Sequence, residues 1–185
     1  MYTVVRRIEI DAGHRVPDHK SKCAALHGHR YVIEVGFCGK RLQETGEEKG
    51  MVKDFSFMKE LLMKSIHDVF DHKLMLYVED PILECFFNNN YISKFKERVN
   101  NKQFISVYSA SHSPTPLPIV ICNFVPTAEN LAKAWWITIT ESLCTVDNKT
   151  WAMFRSSPAF IYLYVSFVRV YETPNCIAEY QPDVE

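Results

Sequence analysis

The chain has 185 residues, 47% hydrophobic and 23% charged, enough apolar mass for a packed core and close to the globular average of about 25% charged. A net charge of −1 offers no basic face to nucleic acid, and no apolar run approaches the ~18 residues of a membrane span. Six cysteines are irregularly spaced without a CxxC pair, and Met1 to Arg7 lack a long apolar stretch, which implies a cytoplasmic protein with reduced, mostly buried thiols.

Residues 3–11 alternate loosely and are rich in β-branched types, so they predict a strand, and residues 31–39 predict a second. Residues 12–30 connect them and hold most of the chemistry. After a polar turn, Asp54 caps a helix carrying Phe57, Leu61, Leu62, Ile66 and Phe70 on one side, and Asp71-His72 ends it. Residues 79–102 predict another helix, interrupted by Asn88-Asn89-Asn90, with Lys94 to Arg98 as a solvated face. Three prolines and three serines from Ser109 to Pro118 predict a disordered loop. Ile119 to Cys122 is a short strand. Thr127 then caps a helix with Glu129 in its first turn and Leu131, Ala134, Trp135 and Ile139 on its apolar side. A last strand covers 160–172. Hairpins alternating with helices predict an α+β fold, an antiparallel sheet covered on one face.

The chemistry concentrates at Cys23-Ala24-Ala25-Leu26-His27-Gly28-His29, with His14 upstream: three imidazoles and a thiol within sixteen residues. Residues i and i+2 of a strand share a face, so His27 and His29 can reach one ion, with His14 joining from the end of the neighbouring strand. His19 is the alternative third ligand. Imidazole-only ligation suits zinc. Cys23 is open to three roles: fourth ligand, base or nucleophile beside the metal, or inert buried thiol. Asp71-His72 pairs a carboxylate with an imidazole, as an oriented acid or base would, though neighbours on a helix do not face each other. Glu172, between Tyr171 and Thr173, can accept two hydrogen bonds from a guanidine-like ring edge.

Six ordered segments carry a resemblance: Asp11-Ala12-Gly13-His14, Cys23 to Tyr31, Gly50 to Phe55, Asp71-His72-Lys73-Leu74, Pro126 to Asn130 and Glu172-Thr173. Together they resemble the 6-pyruvoyl-tetrahydropterin synthase / 6-carboxytetrahydropterin synthase family. The resemblance implies one domain over 1–185 with the tunnelling fold (T-fold): a four-stranded antiparallel sheet with helices on one face. It implies assembly through edge strands into a homo-oligomer, a hexamer or another trimer-based form, with active sites between subunits. It implies zinc on His14, His27 and His29, Cys23 as the base, Asp71 and His72 as its relay, and Glu172, Thr127 and Glu129 lining a pterin pocket.

The short Cys-x-x-x-His-Gly-His spacing resembles the bacterial 6-carboxytetrahydropterin synthases of queuosine and 7-deazaguanine biosynthesis. That implies a zinc-dependent lyase converting 7,8-dihydroneopterin triphosphate to 6-carboxytetrahydropterin, with release of acetaldehyde and triphosphate. The alternatives are the pyruvoyl-forming enzyme, which eliminates triphosphate, and an idle pterin-binding homologue. Residues 85–120 form an insertion relative to short members, and the region 143–159 is also longer.

Overall fold

A computed structural model describes residues 1–109, 116–146 and 163–183. Most of the proline-rich 109–118 stretch, the start of the expected last strand at 160–162 and most of the lengthened 143–159 region lie outside these residues. Two long strands form the hairpin at the centre of the fold, β1 (Tyr2–His14) and β2 (His27–Gly39). They pair antiparallel over their full length, from Tyr2 opposite Gly39 to His14 opposite His27. Both strands run further than the sequence pattern predicts, so the connection shrinks to 15–26.

After β2 comes α1 (Phe55–Leu62), capped by the Asp54 side chain, which accepts from the Ser56 amide. A wider π-helical turn (Met63–His67) and a last short turn, α2 (Asp68–Phe70), continue it. The wider turn keeps residues four apart in line, so Leu62, Ile66 and Phe70 are all fully buried on one side. Then follow β3 (Leu74–Tyr77), α3 (Asn89–Val99), β4 (Phe104–Tyr108), β5 (Pro118–Cys122), α4 (Ala128–Val146), β6 (Tyr164–Thr173) and β7 (Cys176–Tyr180). The helix expected over 79–102 is two pieces. A 3-10 turn, Pro81–Cys85, precedes α3, and the Asn88 side chain caps α3 by accepting from Tyr91 N at 3.2 Å.

The sheet has seven strands in the order β4-β5-β3-β1-β2-β6-β7, rather than four. The expected four-stranded antiparallel unit is present within it as β1, β2, β6 and β7. The other three strands extend it on the β1 side, through parallel pairings of β3 with β1 and with β5. Only Gly13 and His14 of β1 take part in that junction. Three strands escape sequence reading for a physical reason. β3, β4 and β7 are only four or five residues long, too short for periodicity to declare.

Side-chain alternation divides the core between two faces. Ile8, Ile10 and Ala12 of β1 and Tyr31, Ile33, Val35 and Phe37 of β2 face α1 and α4, packing against Met58, Leu62, Phe70, Leu131, Trp135 and Ile139. On β5, Val120 and Cys122 join that core, whereas Ile119 and Ile121 turn the other way. There they meet Leu76, Leu83, Phe87, Phe95, Val99 and Ile105. So α1 and α4 cover one face as expected, and the inserted region adds α3 with a smaller core on the opposite face. The expectation of mostly buried thiols holds only for Cys38 and Cys122. Cys85, Cys144 and Cys176 are exposed, because they lie on the solvent sides of a turn, a helix and a strand.

Candidate active site

The register of the central hairpin builds a cluster of three imidazoles. His14 lies opposite His27, and His29 follows two residues along the same face. The ring centroids are 4.5 Å apart for His14 and His27, 5.0 Å for His27 and His29, and 5.2 Å for His14 and His29. One ligating nitrogen from each lies within 4.8 Å of the others. The triad closes the end of the core, with the fully buried Tyr31 ring 5.8 Å from His14 and 5.5 Å from His29. Burial pushes the Tyr31 phenol pKa up.

Backbone carbonyls orient two of the rings. His14 Nδ1 donates to Pro126 O at 2.7 Å, and His27 Nδ1 donates to Ala25 O at 2.8 Å. A carbonyl can only accept, so Nδ1 carries the proton and Nε2 keeps its lone pair for an ion. Nε2 of His14 and of His29 is buried without a hydrogen-bond partner among the described residues. Burial lowers the pKa of both rings and favours the neutral form that ligation needs. Convergent imidazoles, one buried and two half-buried, fit a divalent transition metal. His19 is outside this group: its Nδ1 accepts from Ser21 N at 3.1 Å.

Glu172, on β6, brings a carboxylate oxygen to 3.4 Å from His14 Nε2 and 3.8 Å from His29 Nε2. Beside the triad lies a cavity of about 240 Å³ whose walls include His14, His27, Cys23, Thr127, Glu129 and Glu172. Cys23 is half-buried in a 3-10 turn, Lys22–Ala24, and is not part of the metal-capable group. Thr127 caps α4, its hydroxyl accepting from Asn130 N at 3.4 Å. Cys176, not singled out in the sequence, also lines this cavity at the start of β7. The Thr173-Pro174-Asn175 turn before it is a hairpin signal that would have found β7.

Asp71 and His72 are stitched to β1 instead. Asp11 N donates to Asp71 Oδ1 at 2.9 Å, His72 N to Asp11 O at 2.7 Å and Gly13 N to Lys73 O at 2.9 Å. The two side chains do pair directly, His72 Nδ1 to Asp71 Oδ2 at 2.7 Å. Helical neighbours would not, but His72 has left the helix with φ at 56°. Its ring is 79% exposed and borders a separate open groove with Asp11, Gly28, Arg30 and Lys73. Cys23 and His72 therefore line different cavities of one chain, with His29 of the triad bordering the His72 groove.

The family model described as 6-pyruvoyl tetrahydropterin synthase matches residues 3–183. A Rickettsia conorii protein named 6-carboxy-5,6,7,8-tetrahydropterin synthase is 31% identical over 179 residues, covering 97% of this chain and 99% of that protein. Among solved structures, an uncharacterised Wolinella succinogenes protein superposes with a TM-score of 0.65 at 20% identity, covering 98% of each chain. The Caenorhabditis elegans 6-pyruvoyl tetrahydropterin synthase superposes with a TM-score of 0.53 at 20% identity, covering 98% of this chain and 96% of that one. Together with the hairpin that builds the triad, the full-length match means that this chain belongs to the 6-pyruvoyl tetrahydropterin synthase family.

Proposed function

We propose that the chain is a zinc-dependent 6-carboxytetrahydropterin synthase, converting 7,8-dihydroneopterin triphosphate and one water to 6-carboxytetrahydropterin with release of acetaldehyde and triphosphate, for 7-deazaguanine and queuosine biosynthesis in the cytoplasm. One observation carries the reading: a single cavity gathers Cys23, Glu172 and Thr127 beside the imidazole triad. The name of the Rickettsia relative and the short Cys23-to-His27 spacing favour the carboxy product. Among the described residues no helix is long and apolar enough to cross a membrane.

His14, His27 and His29 hold the metal, and bound zinc supplies Lewis-acid polarisation of the substrate's side-chain oxygens. Glu172 accepts hydrogen bonds from the amino-pyrimidinone edge of the pterin and sets its orientation, with Thr127 and Glu129 at the α4 end of the pocket. Cys23 takes and returns protons at the substrate side chain. Asp71 fixes the His72 tautomer, leaving Nε2 to relay protons. Because His72 and the thiol line different cavities, the complete site would draw Cys23 from one copy and Asp71-His72 from another.

The test is to incubate the zinc-loaded protein with dihydroneopterin triphosphate and identify products by mass. Acetaldehyde with 6-carboxytetrahydropterin is the expected result. A pyruvoyl product assigns the other family activity, and no turnover with zinc bound assigns a pterin-binding role. Cys23→Ala is expected to retain zinc and lose turnover; loss of zinc would make Cys23 a ligand.

A further inference from the structure

Between the metal triad and the inserted region runs one buried ion pair. Arg15 directly follows His14, and its guanidinium Nη1 lies 3.4 Å from Asp80 Oδ1. The Asp80 side chain is wholly buried, and that of Arg15 is 20% exposed. Asp80 lies just before the inserted 85–120 region, where the same oxygen accepts from Ile82 N at 3.0 Å and caps the Pro81–Cys85 turn. On the other side of Arg15, Val16 N donates to Cys23 O at 2.9 Å. Val16, His14 and Cys23 all line the same cavity.

Three consecutive residues therefore have three different anchors. His14 is held by the Pro126 carbonyl, Arg15 by Asp80 and Val16 by Cys23. Capping alone does not need a charge here, since a neutral amide oxygen would cap the turn as well. Burying a carboxylate is costly unless a cation answers it, and among the described residues the cation paired with Asp80 is Arg15. A fixed Arg15 also fixes the backbone direction by which Val16 meets the Cys23 carbonyl.

We propose that Asp80 and Arg15 are positioning residues: their buried pair locks the 15–26 loop and sets where the Cys23 thiol sits relative to the triad. The turn that leads into the inserted region thereby acts as a buttress for the thiol's loop. The kinetic arm rests on the proposed function, whereas the thiol arm does not. Cys176 supplies an internal control, since it lines the same cavity from β7 and is not tied to the loop.

The experiment uses Asp80→Asn, which keeps the capping oxygen and removes the charge. Alkylation by iodoacetamide is followed at Cys23 and Cys176 separately by mass spectrometry, alongside zinc content, kcat and KM. The expected result is parental zinc content, kcat lowered about tenfold with KM within about twofold, and alkylation at Cys23 at least roughly threefold faster with Cys176 unchanged. Parental alkylation at Cys23, or equal acceleration at both cysteines, overturns the proposal, as does an unchanged kcat in a protein that turns over. If the parental protein has no turnover, the function reading fails and the alkylation ratio alone decides. Should Asp80→Asn not fold, Arg15→Lys is judged by the same criteria. Its ammonium keeps the charge without the planar fork, so the expected changes are smaller and in the same direction.

Discussion

Asp71 holds two partners at once, one oxygen on the Asp11 amide and the other on the His72 ring. Burial alone would raise its pKa, but those two hydrogen bonds and the nearby His67 outweigh it and hold the carboxyl below its ordinary range. A carboxyl depressed in the folded state stabilises the fold above its unfolded pKa, and that stabilisation fades as pH falls through the folded value. Asn in its place keeps an acceptor and loses the titration. The stability gap between the parent and Asp71→Asn is therefore expected to stay level above about pH 5 and to close below about pH 4. Denaturation midpoints across that range measure it, and a gap that widens towards acid would sink the assignment. Arg30 acts on Asp11 in the same direction: its hydrogen bond lowers the Asp11 carboxyl on the exposed side of the strand. The turn that carries Asp71 and His72 is thus held by polar contacts that strengthen on leaving acid.

At the scale of the element, the hairpin is what brings an HxH motif and His14 into one cluster of imidazoles, and Gly28 is what lets it close. A Cβ at Gly28 would stand 3.0 Å from the Ala12 carbonyl oxygen, a backbone atom that can move only with its strand. Gly28→Ala should push β1 and β2 apart where His14 faces His27. A loss of about 1–3 kcal/mol in stability is expected from such overpacking, together with weaker zinc binding in a chelator competition. Gly36→Ala is the control. Its Cβ would meet the Phe167 ring at 2.3 Å, far along the same strand, so stability should fall while zinc affinity stays parental. Zinc affinity unchanged in Gly28→Ala would refute the argument from strand spacing. The triad is legible in the sequence because the two-residue period of a strand places His27 and His29 together whatever the rest of the fold does. The Arg15–Asp80 pair is not legible, because it joins residues 65 apart in sequence through packing on the far side of the sheet. The direct Asp71-His72 bond escapes helical reasoning because one left-handed residue sits outside the helix.

At the scale of the whole molecule, Cys23 and His72 line different cavities, and the sheet offers edges by which a second copy could bring the two groups together. Residues 2–10 of β1 pair only with β2, and β7 pairs only with β6, so among the described residues both flanks leave backbone groups unpaired. Tyr2, Val5 and Ile177 expose apolar side chains on these strands. Unpaired edges bearing apolar groups favour addition of a strand from another copy. If the working site combines Cys23 of one copy with His72 of the next, two dead variants can repair each other. Cys23→Ala and His72→Ala are each expected to be inactive alone. Mixed in equal amounts and allowed to exchange subunits, they form hybrid interfaces that pair an intact Cys23 with an intact His72. In a closed ring with random mixing, roughly a quarter of the interfaces are of that kind, so about a quarter of parental turnover should return. Refolding the mixture together and assaying product against each variant alone measures it. Were one chain to supply both groups, no mixture could restore an intact site and turnover would stay at the level of the separate variants.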